Sequence, residues 1–288
     1  MTSKNVLAVI GGSGLYDIPG LTDVEEVRVE TPFGPPSDAI VRGRLKDTTL
    51  LFLPRHGRGH RIPPHKIAAR ANICALKKLG ATHLVSISAV GSMKEGIAPG
   101  DFVVVDQFID LTKGRTSTFF DDGLVGHVGF ADPVCKDLSE ALVRAAERGG
   151  AKVHRGGAYV CIEGPQFSTR AESQLYRSWG VSVIGMTAMP EAKLAREAEL
   201  PYALLALATD YDCWHQAEED VTIEAVLKVM GENVAKARRA MGELAPALPD
   251  PTTSRATGAL AAALMTSRER IEPATLSKLD WLVGKYIH

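Results

Sequence analysis

The chain has 288 residues, length for two ordinary domains or one large α/β domain, and enough to bury a core without metals or disulfides. Its 33 Lys and Arg against 34 Asp and Glu leave a net charge of −1, which argues against a nucleic-acid partner, and 45% hydrophobic residues exclude a chain disordered throughout. The four cysteines, Cys74, Cys135, Cys161 and Cys213, form no CxxC pair, as expected of reduced, buried thiols in a cytoplasmic protein, and no stretch approaches the ~18 apolar residues of a membrane helix.

Apolar patterning predicts alternating strands and helices. Residues 6–10 form a continuous apolar run, as in a strand buried on both faces. Residues 38–45 and 48–53 read as a hairpin, 66–79 as a helix stopped by Gly80, and 83–87 and 102–105 as strands. A loop from 112 to 130 lacks periodicity. A helix over 138–147, a strand over 157–162, a helix over 171–179 and a short strand over 181–184 follow. Then come a helix over 191–199, an apolar strand over 202–208 and a long amphipathic helix over 221–244. Such alternation implies a single α/β domain with a mixed, largely parallel β-sheet flanked by helices. Pro246, Pro249 and Pro251 end the long helix, and the Ala-rich stretch 256–265 reads as a helical extension, packed on the body or trailing from it.

Ligands in open α/β sheets bind beyond the carboxyl ends of strands, so the residues just after each strand carry the functional information. Gly11-Gly12-Ser13-Gly14 follows the first strand; it matches neither the dinucleotide fingerprint nor the Walker pattern, and suits a small anion nest or a tight turn. Arg55-His56-Gly57-Arg58 follows the strand ending at residue 53, where an Arg fork and a His donor suit phosphate. The glycines between His56 and His60 argue against a helical metal site, and no metal is expected. Ser88 and Ala89 stand at a third strand end, and Met186-Thr187 at a fourth. Phe167 sits on a Gly-Pro loop ahead of a helix capped at Ser168 or Thr169, with Glu172 completing a capping box. Asp210 and Asp212 end an apolar strand. Two residues apart in extended chain, they would face one pocket, and like charges so close raise one pKa. Paired aspartates also hold Mg²⁺, but no Walker lysine accompanies them and their neighbours are Tyr211, Cys213 and Trp214.

In these motifs, together with Thr31-Pro32-Phe33-Gly34, Asp106-Gln107-Phe108-Ile109-Asp110, Glu163-Gly164-Pro165 and Arg170-Ala171-Glu172-Ser173, the chain resembles the methylthioadenosine phosphorylases, in the trimeric branch of the purine nucleoside phosphorylase family. The resemblance runs to about Leu244 and fades after Pro246, which sets a phosphorylase domain at 1–245 and an extension at 246–288. It implies a pentosyltransferase of purine and methionine salvage with inorganic phosphate as co-substrate and no cofactor. It also implies a homotrimer, with pairing of trimers left open. The family's phosphate cradle maps onto Ser13, Arg55, His56, Ser88, Ala89 and Thr187. Phe167 and Met186 correspond to residues against purine and ribose, and Asp210 and Asp212 to the carboxylates that read the base. Ile223, Val226 and Leu227 match the lining of the 5′ pocket, and His127 a residue from the neighbouring subunit. On this reading Asp210, its pKa raised, protonates the purine, and ionised Asp212 accepts from a 6-amino group. The alternatives are a 6-oxopurine or methylthioinosine phosphorylase, and a non-catalytic nucleoside-binding module.

Overall fold

A computed structural model describes residues 5–12, 14, 15, 17–215 and 223–287, with 223–227 as helix backbone only. The strands are β1 Val6–Gly11, β2 Thr22–Val27, β3 Ile40–Leu45, β4 Thr48–Pro54, β5 His83–Ser92, β6 Phe102–Val104, β7 Gln107–Asp110, β8 Val153–Arg155, β9 Ala158–Cys161, β10 Val183–Gly185 and β11 Tyr202–Asp210. The helices are α1 Ala69–Lys78, α2 Lys136–Arg148, α3 Arg170–Ser178, α4 Ala188–Glu197, α5 Ile223–Leu244 and α6 Pro273–Ile287.

All eleven strands join one mixed sheet. Its centre is parallel: β4 pairs β1, β1 pairs β5, and β5 pairs β11. Antiparallel pairs flank it, through β2–β3–β4 on one side and β11–β6 on the other, with β8 parallel beyond β6. β5 is the branch point. Its first half lies between β1 and β11, and its last residues turn to pair antiparallel with β10, which carries β9 and β7 parallel beside it. Strands β1, β4, β5 and β11 therefore all point one way, and the segments that leave them converge on one edge.

Alternation along these strands divides the core. Ala8, Ile10, Leu51, Leu53, Leu204 and Ala206 face one side, under Ile73 and Leu76 of α1, Ala192 and Leu194 of α4, and Leu279 and Leu282 of α6. Leu7, Val9, Leu50, Phe52, Leu205 and Leu207 face the other, under Leu138 and Leu142 of α2 and Met241 and Leu244 of α5. Burial on both faces explains why these strands read as unbroken apolar runs rather than alternating ones.

Four elements differ from the pattern expected of the sequence. β2 is exposed almost throughout, and β7 and β8 are only four and three residues long, too short for a period-two signal. The Ala-rich stretch forms successive turns instead of a helix, and the terminal helix is α6, further along. α6 does not trail away: Leu279, Leu282 and Val283 belong to the core cluster under α1 and α4.

Candidate active site

The end of β4 delivers Arg55 into the protein rather than to its surface. The residue is 2% exposed, and its guanidinium is taken up almost completely. Nε and Nη2 donate to the two carboxylate oxygens of Glu191 at 2.7 and 3.0 Å. Nη2 also reaches Ser86 Oγ and the Ile10 carbonyl, and Nη1 the Ile87 carbonyl at 2.6 Å. The outward fork expected of Arg55 is therefore turned onto Glu191, and one Nη1 hydrogen is left without an acceptor among the described residues. Burial alone would lower its pKa, but the Glu191 carboxylate outweighs that and holds it above the ordinary arginine value. Ser86 closes the set by donating to Glu191 Oε2 at 2.8 Å, so the pair ties β1, β4, β5 and α4 together.

His56 comes next. Its Nδ1 lies 2.8 Å from the Ile62 carbonyl, and its ring stacks on His60 with centroids 4.2 Å apart. Burial, aided by the charge of Arg55, lowers its pKa to about 4, so the ring is neutral near pH 7. A neutral imidazole that donates from Nδ1 has a bare lone pair on Nε2. His56 is thereby an acceptor through Nε2, not the donor expected from its sequence context.

Along the interior strand β5, whose other residues are nearly all buried, Ala89 is exposed. Beside it Ser88 Oγ lies 3.0 Å from Thr187 Oγ1 and 3.2 Å from Tyr159 Oη. Three hydroxyls from β5, β9 and the start of α4 thus meet at one point. Gly185 makes this possible: a Cβ there would fall 2.0 Å from Tyr159 Oη. Of the expected phosphate set, then, Ser88, Ala89 and Thr187 are gathered together, with Arg55 beneath them. Ser13 lies outside the described residues.

Asp210 and Asp212 are also brought together, though not by strand alternation. β11 ends at Asp210, and Asp212 has a left-handed φ of 55° at the start of a short 3₁₀ turn. The Asp212 N–H donates to Asp210 Oδ1 at 2.8 Å, and Asp210 Oδ2 accepts from Thr209 Oγ1 at 2.7 Å. The buried Ser173 hydroxyl of α3 donates to Asp212 Oδ2 at 2.5 Å. The pKa of Asp212 is raised. Burial is the main cause, opposed by hydrogen bonds from Ser173 and the Cys213 backbone and reinforced by the charge of Asp210. Gly91 admits the pair to the strand edge, since a Cβ there would lie 3.0 Å from Asp210 Oδ1 and 3.2 Å from Asp212 Cβ.

One further side chain organises the site and carries no motif of its own. Arg115, 6% exposed at its side chain, donates to the carbonyls of Met186 and Met189 at 2.8 and 2.7 Å and to that of Glu163 at 2.5 Å. It thereby fixes both the Met186-Thr187 segment and the loop that leads to Phe167. Phe167 itself is 86% exposed, just ahead of α3, whose capping box is formed by Thr169 and Glu172 as their spacing predicts. His127 stands apart, exposed on the long loop, its N–H bonded to the Ala263 carbonyl. The side chains of Ile223, Val226 and Leu227 lie outside the described residues. No group of three or more His, Cys, Asp or Glu able to hold a metal ion occurs among the described residues, and no described helix is long and apolar enough to cross a membrane.

The profile of the Phosphorylase superfamily matches residues 6–245. The chain belongs to that superfamily. Among its relatives, an S-methyl-5′-thioadenosine phosphorylase of Geobacter sulfurreducens is 53% identical over 285 residues, covering 99% of this chain and 100% of the relative. Relatives therefore share the segment beyond residue 245, where the sequence motifs faded. Among solved structures, a methylthioadenosine phosphorylase from an Antarctic soil metagenomic library superimposes with a TM-score of 0.92 at 47% identity, over 97% of this chain and 99% of the other. A Schistosoma mansoni adenosine/methylthioadenosine phosphorylase variant in complex with adenine gives 0.82 at 39% identity, over 87% and 94%. The phosphorylase fold thus extends over nearly the whole chain, with the hydroxyl cluster and the carboxylate pair at one edge of its sheet.

Proposed function

We propose that this phosphorylase cleaves S-methyl-5′-thioadenosine with inorganic phosphate, releasing adenine and 5-methylthioribose 1-phosphate for purine and methionine salvage. The observation that carries the reading is the Asp210–Asp212 pair against Gly91 of β5, next to the exposed Ala89 and the Ser88–Thr187 hydroxyls. A group suited to a purine edge and a group suited to a phosphate thus lie along the end of one strand. The kinship with enzymes that bear this name supports the same substrate.

In this reaction a phosphate oxygen forms a bond to C1′ of the ribose as the C1′–N9 bond breaks. The bonding pair leaves with the purine, which takes a proton at N7. Asp210 and Asp212 are coupled, so the proton they supply belongs to the pair rather than to either member. Burial of Asp212 favours holding it until the purine becomes basic. The remaining negative charge accepts from the 6-amino group. A 6-oxopurine would set an oxygen against that charge, an unpaired buried contact costing about 1–3 kcal/mol or more.

Ser88, Thr187 and the backbone around Ala89 hold the phosphate, and the bare Nε2 of His56 accepts from its P–OH. Arg55, its charge paired with Glu191, supports the cradle by fixing the strand ends, so that positioning supplies much of the rate. Ser13 of the glycine turn completes this cradle. Phe167 and Met186 pack on base and ribose. Ile223, Val226 and Leu227 line the 5′ side, which His127 of a neighbouring subunit closes in a homotrimer.

The test is base release with phosphate present or omitted, from methylthioadenosine, adenosine, methylthioinosine and inosine. Phosphate-dependent adenine release, fastest from methylthioadenosine, is expected. Faster release from the inosine compounds would keep the phosphate site and overturn the account of base recognition. No release from any of the four would overturn the activity.

A further inference from the structure

The segment beyond residue 245 lies outside the superfamily match, yet it is tied into the body beside the loop that bears His127. We propose that residues 260–287 act as a clamp that positions the 119–127 loop, and through it sets the reach of His127 and the preference for a methylthio over a hydroxyl group at the 5′ position. The inference rests on the role given to His127 above.

The clamp is anchored on Glu199, buried just beyond the end of α4 with a left-handed φ of 52°. One carboxylate oxygen accepts the Leu260 N–H at 3.0 Å and the Tyr286 hydroxyl at 2.5 Å, and the other accepts Lys285 Nζ at 2.5 Å. Both ends of the segment are therefore held by one side chain, two residues past the helix whose first turn carries Glu191.

From that anchor the segment grips the loop at two places. Residues 263–266 lie antiparallel to 125–127 through a bridge between Gly126 and Leu264. The His127 N–H donates to the Ala263 carbonyl, the Met265 N–H to the Val125 carbonyl, and the Val125 N–H to Thr266 Oγ1, at 2.8, 2.8 and 2.9 Å. On the other side, α6 donates from Thr275 Oγ1 to the Asp122 carbonyl at 2.8 Å and from Lys278 Nζ to its carboxylate at 3.2 Å. Trp281 packs edge-on against Phe119, with ring centroids 5.2 Å apart.

No helix and no strand longer than that bridge occurs between β7 and α2, so the loop has little hydrogen-bonded structure of its own. Ordering such a stretch costs conformational entropy that contacts from elsewhere must offset. The tail supplies those contacts to the backbone at 122, 125 and 127, and leaves His127 exposed.

The experiment compares Thr266→Val and Tyr286→Phe, each alone and combined with His127→Ala, in the full-length protein. Steady-state constants for methylthioadenosine, adenosine and phosphate are measured together with amide hydrogen exchange over 119–127. Each tail variant is expected to raise KM for methylthioadenosine about three- to tenfold, to leave kcat and KM for phosphate within about twofold, and to speed exchange at 125 and 127. With His127→Ala already present, the tail substitutions should add nothing to the methylthioadenosine-to-adenosine ratio. An unchanged ratio, an equal rise in KM for phosphate, or additivity with His127→Ala would overturn the clamp. Tyr286→Phe removes a single hydroxyl and keeps the ring, and it keeps the test sound if Thr266→Val folds poorly. If His127→Ala itself leaves the ratio alone, the 5′ role of His127 is discarded, and that result is distinct from tail variants that fail where His127→Ala succeeds.

Discussion

The sheet ends in two charged constellations that have opposite fates. Arg55 and Glu191 are both nearly inaccessible, and between them Ser86 and two strand carbonyls satisfy almost every donor and acceptor. Asp210 and Asp212 are half-buried, two like charges drawn together by a turn and bonded by Thr209, Ser173 and the Asp212 backbone. The first pair is closed and has little left to offer a ligand, so it serves as a keystone under the phosphate cradle. The second stays partly exposed at the strand end, with burial raising the pKa of Asp212, and is open to a ligand. An opposite-charge pair closed off from solvent marks scaffold, and a like-charge pair left partly exposed at a strand end marks a site that reads a ligand.

Removing one side of the closed pair should give the largest effect. Glu191→Gln leaves Arg55 buried without its counter-charge and is expected to cost about 3–5 kcal/mol of stability, read from urea unfolding. A loss of activity with stability unchanged would mean that Glu191 acts on the ligand, and the contrast between the pairs would collapse. Asp210→Asn should do the reverse. Activity on methylthioadenosine is expected to fall by about a hundredfold, with methylthioinosine gaining relative to it, while the unfolding midpoint hardly moves.

Asp212→Asn sharpens the contrast further. A carboxyl whose pKa is raised on folding adds stability below its unfolded value of 3.8 and loses that contribution as pH rises through the folded value. At pH 7 the ionised group is therefore a cost, and Asp212→Asn should stabilise the protein by up to about 1 kcal/mol while lowering activity. Histidine titration runs the other way. His56 and His83 are both lowered by burial to about 4 from 6.5, so their contribution is whole above pH 6.5 and disappears as pH falls toward 4. The urea midpoint should decline across that window, and His56→Gln should flatten part of the slope. The smallest stability effect belongs to Phe167→Ala. It should shift stability by no more than about 0.5 kcal/mol at so exposed a position, yet raise KM for the nucleoside several-fold.

The amino-acid sequence by itself determined the class of fold, the central strands and the strand-end positions of the candidate residues. Those are local properties: apolar runs long enough for double-sided burial, glycine turns behind them, and a capping box at Thr169 and Glu172. It also offered Asp210 and Asp212 as a pair, though for a reason that the turn at Asp212 replaces. Only the tertiary structure decided which way each side chain is spent. Arg55 reads as a ligand fork until Glu191, 136 residues away, is seen beside it. His56 reads as a donor until the Ile62 carbonyl fixes its tautomer. Arg115 carries no motif, because apart from the Glu163 carboxylate its partners are backbone carbonyls, which every residue has. The role of the tail was equally hidden, since Glu199, Leu260 and Tyr286 become neighbours only once α4 and α6 pack on the same face of the sheet. Periodicity and turn chemistry act over a few residues. Hydrogen-bond partners and burial arise from contacts between distant segments, and these settle what a polar side chain can still offer a ligand.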